Sequence, residues 1–470
     1  MKYYKAALLA AGIGVLPAPI AQAESNEALY ELLKALHKNG TIDETTYQAI
    51  RRVAEQGDEA GEAKTREVVK QEVEQQVAKQ VESQTTDAGT DGVKVDTDGK
   101  FEVTSADGAY SARLGGRIQA DAAAYDDDQA DLGSGTRIRR ARLFMKGVLW
   151  NDWAYKLQYD FTGSGAGGIA DAFIAYTGFD PVSLKVGHFK EPFSLENMTS
   201  SKYVTFMERG LPEVFRPGRS IGMQIATHGD NWSAAAGFFG EGAGTSPRNV
   251  PATSSTNEVD EGYGVTGRAT WAPLHNDRTV VHLGAAGSWR KTDQQDTFRL
   301  RQRPETNITN VRLVDTGSFS ADDYALMGVE TALLYDAFHF QGEYMRMDVS
   351  GANGNSDAEF DGYYAQIGYF LTGERKNYSA SSGSFGRIKP NSIVGEGGIG
   401  AWQLATRFSS LDLTDGAIIG GEEDNVTLGI NWWPAPNLRF SANYVRVLEV
   451  DGPNAGDEPS GFTLRSQVEF

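Results

Sequence analysis

Four arginines lie within one short, β-prone stretch of a chain of 470 residues whose formal net charge is −19. The stretch reads TRIRRARLFMKG, begins at Thr136 and carries Arg137, Arg139, Arg140 and Arg142. A guanidinium group stays protonated, and its planar fork matches the oxygens of phosphate. Such a cluster can hold or guide an anion. The structural alternative is that the arginines pair with the carboxylates of Asp121, Asp160 and Asp171.

Two further groups of cations occupy long connections between predicted strands. The motif RLRQR places Arg299, Arg301 and Arg303 on one edge of an extended segment. The connection 187–219 is rich in Phe, Met and Leu, so we expect it to fold back into an enclosed lumen. Its polar groups would then donate hydrogen bonds to an oxyanion. These donors are Lys190, Ser200, Ser201, Lys202, Arg209, Arg216 and Arg219.

Polar and apolar residues that alternate with a period of two indicate which cations of the predicted strands lie on the same face of the sheet. From Tyr110 onward, polar and apolar residues alternate strictly, as in YSARLGGRIQADA and WAYKLQYDF. The polar parity of the first two strands would place its cations in adjacent columns down one wall. That parity holds Arg113, Arg117, Arg140, Arg142 and Lys146, whereas Arg137 and Arg139 have the other parity and lie nearer the rim.

The strands predict a closed, all-β fold with sixteen antiparallel transmembrane strands. Alternation also fits a soluble β-sandwich, but strands of about 9 to 12 residues match a tilted bilayer crossing. Short and long polar connections alternate, and aromatic residues gather near strand ends. One long connection, 373–400, falls on the side of the short turns. The predicted strands are 110–125, 137–150, 153–163, 169–178, 182–190, 220–228, 231–239, 262–273, 279–291, 323–335, 337–348, 360–372, 401–411, 424–434, 437–447 and 461–470.

The N-terminal region has a different pattern. Residues 1–23 carry a basic start, a short apolar core and a small-x-small site, which predicts a secretory signal peptide. Residues 24–107 are predicted to form a periplasmic helical hairpin and a coiled coil, with a solvated linker as the alternative to the coiled coil. Residues 108–470 are predicted to form the barrel. We therefore expect the protein to lie in the outer membrane of a Gram-negative cell, with its N-terminal segment in the periplasm.

The composition argues against several functions. The chain has no Cys, and its six His residues lack metal-ligand spacing, so we expect no metal and no cofactor. A barrel-borne hydrolase would need a Ser or Asp with a placed His, and no His lies in such a motif. We expect no nucleic-acid partner. A structural tether with an incidental pore stays open as an alternative.

The cation-rich segments resemble the phosphate-selective porins of the O and P type. The resemblance rests on FKEPFSLENMTSSKYVTFMERG, RLRQRPETNITNVRLVDTG, YFLTGERKNYSASSGSFGRIKP and the closing strand, and covers roughly residues 110–470. It implies a trimeric, 16-stranded outer-membrane channel whose third loop narrows the pore and whose arginine ladders lead phosphate to a constriction. By motif, the constriction would include Lys190, Ser200, Ser201 and Arg209, the ladder Arg299, Arg301 and Arg303, and the wall Arg113, Arg140 and Arg142.

The expected function is therefore passive uptake of phosphate or a related oxyanion such as pyrophosphate or polyphosphate. The expected partners are these small anions, outer-membrane lipid and two further copies of the chain. The alternative is a general or structural outer-membrane channel with a periplasmic tether and no phosphate specificity. Sequence does not choose between the oxyanions, because pore radius and loop placement decide between them.

Overall fold

The computed structural model describes residues 92–97, 99–163, 168–244, 260–292 and 297–470, with the single residues 34, 37, 44, 47 and 48. The chain divides into two compact units, 1–92 and 93–470. The predicted signal peptide, and the predicted helices of the N-terminal region apart from those five residues, lie outside the described residues. Within the described part, no helix is long and apolar enough to cross a membrane.

Sixteen long antiparallel strands form one closed barrel, as predicted. Each barrel strand pairs with the next along the chain, and the last pairs with the first. The strands are β1 (Lys94–Asp96), β2 (Phe101–Thr104), β3 (Ser111–Asp126), β4 (Gly135–Leu149), β5 (Trp153–Asp160), β6 (Ile169–Phe179), β7 (Val182–Lys190), β8 (Arg219–His228), β9 (Trp232–Phe239), β10 (Tyr263–His275), β11 (Thr279–Lys291), β12 (Thr297–Phe298), β13 (Arg301–Gln302), β14 (Val314–Asp315), β15 (Phe319–Tyr335), β16 (Phe338–Gly351), β17 (Ala358–Phe370), β18 (Tyr378–Ser379), β19 (Ser384–Phe385), β20 (Ala401–Asp415), β21 (Ile418–Ala435), β22 (Leu438–Asp451) and β23 (Ser460–Glu469). The barrel strands are β3 to β11, β15 to β17 and β20 to β23.

The outer wall of the barrel is apolar and the inner wall is polar. On β3, Leu114 and Ile118 are exposed, whereas Arg117 and Gln119 are buried. An apolar belt of this kind is stable against lipid chains and would be costly against water. Closure pairs every barrel strand on both sides, which leaves no open edge in the bilayer.

Aromatic side chains surround both ends of this wall. Near one end, Trp432 stacks between Trp402 and Phe440 at ring distances of 5.3 and 5.5 Å. Near the other end, Tyr263 lies between Phe238 and Trp289 at 5.9 and 6.1 Å. Aromatic rings prefer the boundary between lipid and water, so these two groups mark the edges of the apolar belt.

The two ends of the barrel differ in their connections. The end with short turns, such as 336–337 and 436–437, is called the turn end, and the opposite end is called the loop end. Three long connections fold into the lumen. They are the first inner loop (191–218), with helix α1 (Leu195–Met198), the second inner loop (297–318) and, from the turn end, the inner turn (371–400).

The lumen is filled on one side. Apolar residues of the two inner loops pack against the inner face of β15 to β20 and form a core inside the barrel. Members of this core are Phe193, Leu211, Phe215, Leu300, Val314, Leu326, Met345, Met347, Phe360 and Leu411. The opposite wall, β3 to β8, carries a row of cationic side chains that includes Arg117, Arg140, Arg142 and Lys156.

The last part of the region predicted to be helical is a β-hairpin. Strand β2 pairs with β1 and with the start of β3, where Glu102 lies opposite Arg113. Gly99, with φ of 63°, supplies the left-handed conformation that the turn between β1 and β2 requires. Strand β23 ends beside this hairpin, where Phe470 and Gly116 exchange backbone hydrogen bonds of 2.9 and 3.2 Å. The β-hairpin extends the barrel wall at the turn end.

Candidate anion path

A β-bulge brings all four arginines of the RIRRAR segment to the lumen side. Gln119 pairs with Arg140 and Ala120 pairs with Ile138, so Arg139 is an extra residue in β4. An extra residue reverses the parity of the strand beyond it. Arg137 then lies opposite Asp121 instead of facing lipid, and Ile138 is half exposed on the outer wall. The expectation that Arg137 and Arg139 have the outward parity is therefore wrong.

Two arginines at the centre of this wall are buried and lack a carboxylate partner among the described residues. Arg117 is 5% exposed, and its Nη1 donates to Ser200 Oγ at 3.4 Å. Arg140 is 6% exposed, and its Nη1 donates to Gln119 Oε1 at 2.9 Å. In the described part of the chain, no carboxylate oxygen lies within 4.0 Å of either guanidinium group.

Carboxylates balance the neighbouring cations toward β8. Arg142 Nε donates to Asp160 Oδ2 at 2.6 Å. Asp171 accepts from Lys156 Nζ at 2.6 Å and from Arg219 Nε at 3.1 Å. Lys156 does not belong to a conspicuous basic motif, and only its inward parity in WAYKLQYDF signals its position.

Cations continue along the wall toward the turn end. Arg113 pairs with Lys146 across β3 and β4, and Lys146 pairs with Lys156 across β4 and β5. Lys185 on β7 lies over the rings of Phe173 and Phe189, at 5.1 and 4.9 Å from their centroids. Like charges placed side by side destabilise a sheet unless an anion or solvent screens them.

The first inner loop is held from the opposite wall by a carboxylate. Glu343 on β16 accepts from the backbone N–H groups of Leu195 and Glu196 at 3.0 and 2.8 Å. Tyr364 donates its hydroxyl proton to the same carboxylate at 2.5 Å. These bonds satisfy the free N–H groups at the start of α1, which fixes the loop across the lumen.

Arginines on the remaining strands anchor the inner loops. Arg439 donates to the carbonyl oxygens of Val204 and Thr205 at 2.8 and 2.5 Å, and Arg465 pairs with Asp121 and Glu208 at 2.6 and 2.8 Å. Arg407 is an anchor of the same kind. These guanidinium groups lie in the lumen, but their donors are already used by the protein.

Cations of the first inner loop also bind the loop itself. Lys190, at the end of β7, donates to the carbonyl oxygens of Asn197 and Thr199. Arg209 donates to the carbonyl oxygen of Thr199 at 3.3 Å and lies 3.5 Å from Glu213. Gln119 donates to the Ser201 carbonyl oxygen at 3.3 Å. The predicted constriction residues therefore come together beside Arg117, but much of their hydrogen bonding shapes the loop.

The three arginines of the RLRQR segment have different surroundings. Arg299 pairs with Asp315 at 2.5 Å, and Arg301 is exposed. Arg303 donates to the carbonyl oxygen of Thr309 at 2.8 Å. Burial and the nearby cations Arg312 and Arg137 lower the pKa of Arg303 to about 10. Arg303 is therefore the member of this segment that lies near the RIRRAR arginines.

The inner turn reaches the first inner loop from the turn end. Lys376 donates to Thr205 Oγ1 at 3.0 Å, and the Phe385 N–H donates to Thr199 Oγ1 at 3.2 Å. Arg387 Nε lies 2.9 Å from Glu469 Oε1 on β23. The length of the connection 373–400 thus corresponds to a segment that packs inside the barrel.

Comparison with known proteins relates this geometry to a family. The model of the family described as "Phosphate-selective porin O and P" matches residues 112–470. Porin O of Pseudomonas aeruginosa is 29% identical over 425 residues, covering 81% of this chain and 94% of that protein. An uncharacterized protein of Caulobacter vibrioides is 32% identical over 360 residues, covering 74% of this chain and 70% of that protein.

Solved structures include similar barrels. The anion-selective porin from Comamonas acidovorans aligns with 12% identity and a TM-score of 0.49, over 77% of this chain and 100% of that chain. The family match extends from the second residue of β3 to the C-terminal Phe470, so it covers the whole barrel. Porins are channels, which rules against the hydrolase interpretation. The chain belongs to the phosphate-selective porin O and P family and is an outer-membrane porin.

Proposed function

We propose that this porin is anion-selective and passes phosphate or a related oxyanion, such as pyrophosphate or polyphosphate, along the β3 to β8 wall. The observation that carries the proposal is the pair of buried guanidinium groups of Arg117 and Arg140, neither of which has a carboxylate within salt-bridge distance in the described residues. Burying an ionised group without a counter-charge is costly. An oxyanion moving past these groups offsets that cost.

The positions of the other cations extend the path in both directions. Arg137 and Arg303 lie toward the loop end, where they precede Arg140 and Arg117. Lys146 and Lys156 continue the path toward the turn end. Phosphate fits these donors because its several oxygens accept from guanidinium, ammonium and hydroxyl groups at once. Ser200, which accepts from Arg117, is placed to donate its own hydroxyl proton to such an anion.

The double variant Arg117→Gln/Arg140→Gln tests this function. We expect weaker anion preference in reversal potentials under a salt gradient. The concentration of phosphate that half-blocks the chloride current should rise about tenfold or more, because each hydrogen bond from a charged donor contributes about 1.5–3 kcal/mol. Unchanged selectivity and block in a correctly assembled variant would contradict the proposal.

Arg278→Gln is the matched control. It removes one positive charge, where the double variant removes two, from a turn at the turn end. Arg278 is exposed there and pairs with Asp336 at 2.6 Å. Bulk salt screens this site, so selectivity and phosphate block should stay at the wild-type level. An equal effect of the control would indicate that net charge, not position on the wall, sets anion preference.

We further propose that three copies assemble in the outer membrane, with the N-terminal segment in the periplasm. The trimer follows from the family resemblance, and the apolar outer wall supports contact with outer-membrane lipid. Purified protein should migrate as a detergent-stable oligomer that converts to a monomer on heating. Light scattering in detergent that gives the mass of a single chain would contradict the trimer.

A further inference from the structure

Glu469 on β23 lies where the first inner loop, the inner turn and the cationic wall meet. Its carboxylate pairs with Lys202 Nζ of the first inner loop, accepts from the Tyr203 hydroxyl at 3.1 Å and lies 2.9 Å from Arg387 Nε of the inner turn. Its side chain is 3% exposed. Across the strand pair, its direct partner is Arg117. One carboxylate is thus surrounded by donors suited to an oxyanion.

The same donors lie beside the proposed anion path. Ser200 Oγ accepts from Arg117 Nη1 and from the Lys202 N–H, each at 3.4 Å. An anion held by Arg117 and Ser200 is therefore next to Lys202. The Lys202 side chain is 15% exposed and that of Arg387 is 25% exposed, so both reach the lumen while they contact Glu469.

We propose that Glu469 is an internal competitor for the oxyanion: it binds Lys202 and Arg387 whenever the passing anion does not, and thereby speeds release of the anion toward the turn end. This inference rests on the proposed anion path. A cation cluster without Glu469 would hold an oxyanion tightly and pass it slowly. A carboxylate that exchanges with the anion keeps these donors paired at every stage, so the cost of buried, unpaired charge does not arise.

A purely structural role is the alternative, because Glu469 also joins the first inner loop to the inner turn. The two roles differ in what they require of the side chain. A competitor needs a negative charge near Lys202, which Glu469→Asp retains and Glu469→Gln removes. A structural link needs the three hydrogen bonds, which a shortened Asp side chain loses and an isosteric Gln side chain partly keeps.

The experiment measures how long single phosphate ions block the chloride current of the full-length channel in planar bilayers. In Glu469→Gln, the blocked dwell time should lengthen about tenfold, a factor that corresponds to about 1.4 kcal/mol. Glu469→Asp should stay within about twofold of wild type. Glu458→Gln, which removes the same charge from a partly exposed site at the loop end, should leave the dwell time unchanged.

A second pair of variants tests the mechanism. Lys202→Met in the Glu469→Gln background should abolish the lengthening of the dwell time. This variant removes Lys202, the donor for which Glu469 and the anion compete. Arg387→Gln should shorten the dwell time, since Glu469 then competes for Lys202 alone; this variant carries the test if Glu469→Gln does not assemble. Dwell times in Glu469→Gln that match or fall below wild type overturn the inference, as does an unshortened dwell time in Arg387→Gln.

Failure of the underlying function would look different. If the wild-type channel shows no anion preference and no phosphate block, the proposed function and this inference are both overturned. If wild type is blocked by phosphate and the Glu469 variants are blocked for the same time, the function stands and only the competitor role falls.

Discussion

Arg139 and Glu208 join the bulge in β4 to the first inner loop through two hydrogen bonds of 2.8 and 3.0 Å. Glu208 also accepts from Arg465 on β23 at 2.8 Å. Burial alone would raise the pKa of Glu208. The guanidinium groups of Arg139 and Arg465 nevertheless hold this pKa well below its ordinary value. The bulge therefore directs Arg139 to the first inner loop, which it anchors. The adjacent Arg140 has no carboxylate partner in the part of the chain that the structure describes.

Opposite changes at this pair should shift selectivity in opposite directions. Glu208→Gln removes a negative charge from the path, so anion preference should rise. Arg139→Gln removes a positive charge, so anion preference should fall. Both should lower the free energy of unfolding by roughly 1–3 kcal/mol, because a charge-assisted pair is lost. Reversal potentials and thermal midpoints in detergent check this, and shifts of the two reversal potentials in the same direction would contradict it.

The barrel could be predicted because the alternation of polar and apolar residues that produces it is a local sequence pattern. Alternation of the kind seen at Leu114 and Arg117 determines which face meets lipid, and it recurs along most of the barrel. Strand boundaries were harder to predict where charged residues interrupt the alternation of polar and apolar residues. Strand β21 begins at Ile418, six residues before the predicted start, because the run GGEEDN shows no period of two.

The arrangement inside the barrel depends on contacts that no local pattern encodes. A bulge adds a residue without changing the residue types, so Arg139 looked outward in the sequence. Tyr203 and Glu469 are 266 residues apart and meet only in the folded barrel. The basic motifs predicted which segments enter the lumen. They did not separate Arg117, which has no carboxylate partner within the described ranges, from Arg439, which binds the carbonyl oxygens of a loop.

The second inner loop should depend on one buried ion pair. Glu305 and Arg407 have side chains that are each 1% exposed, and their charged atoms lie 2.5 Å apart. Glu305→Ala leaves Arg407 buried without this partner, which should destabilise the loop by about 3–5 kcal/mol. Trypsin should then cleave between residues 299 and 312 in the folded barrel, and single-channel conductance should increase.

A surface ion pair serves as the control for Glu305. Glu359 pairs with Arg346 at 2.5 Å, but the two side chains are 50% and 37% exposed. Exposed pairs contribute roughly 0–1 kcal/mol, so Glu359→Ala should change neither trypsin resistance nor conductance. Equal protease sensitivity in the two variants would show that the buried pair does not hold the loop.

Stability should depend on pH through Lys376 of the inner turn. Burial lowers its pKa from 10.5 to about 7. Between those values the unfolded chain binds a proton that the folded chain does not, so this residue makes stability rise with pH over that window. Lys376→Met should remove this rise and should stabilise the barrel most at pH 7 and below, by up to about 5 kcal/mol.

Unfolding midpoints in detergent at several pH values between 6 and 10.5 measure this effect. Lys389→Met is the matched control, since Lys389 is an exposed lysine of the same inner turn. Its pH profile should follow wild type. A Lys376→Met profile parallel to wild type across the whole range would refute the assignment.

Two truncations should separate the N-terminal region from the β-hairpin that extends the barrel. Deleting 24–92 retains β1 and β2, so conductance and heat stability should stay at wild-type levels.

Deleting 24–107 also removes the four residues of β2 that pair with the start of β3. The loss of these backbone bonds should cost about 2–4 kcal/mol. It also removes Glu102 from beside Arg113, so anion preference should increase slightly. Both truncated variants keep residues 1–23, the predicted signal peptide, and outer-membrane yield, heat-modifiability and reversal potential are compared. If the shorter deletion already prevents folding or conduction, residues 24–92 are required by the barrel itself. If the longer deletion matches wild type in heat stability, the β-hairpin contributes nothing to the wall that it extends.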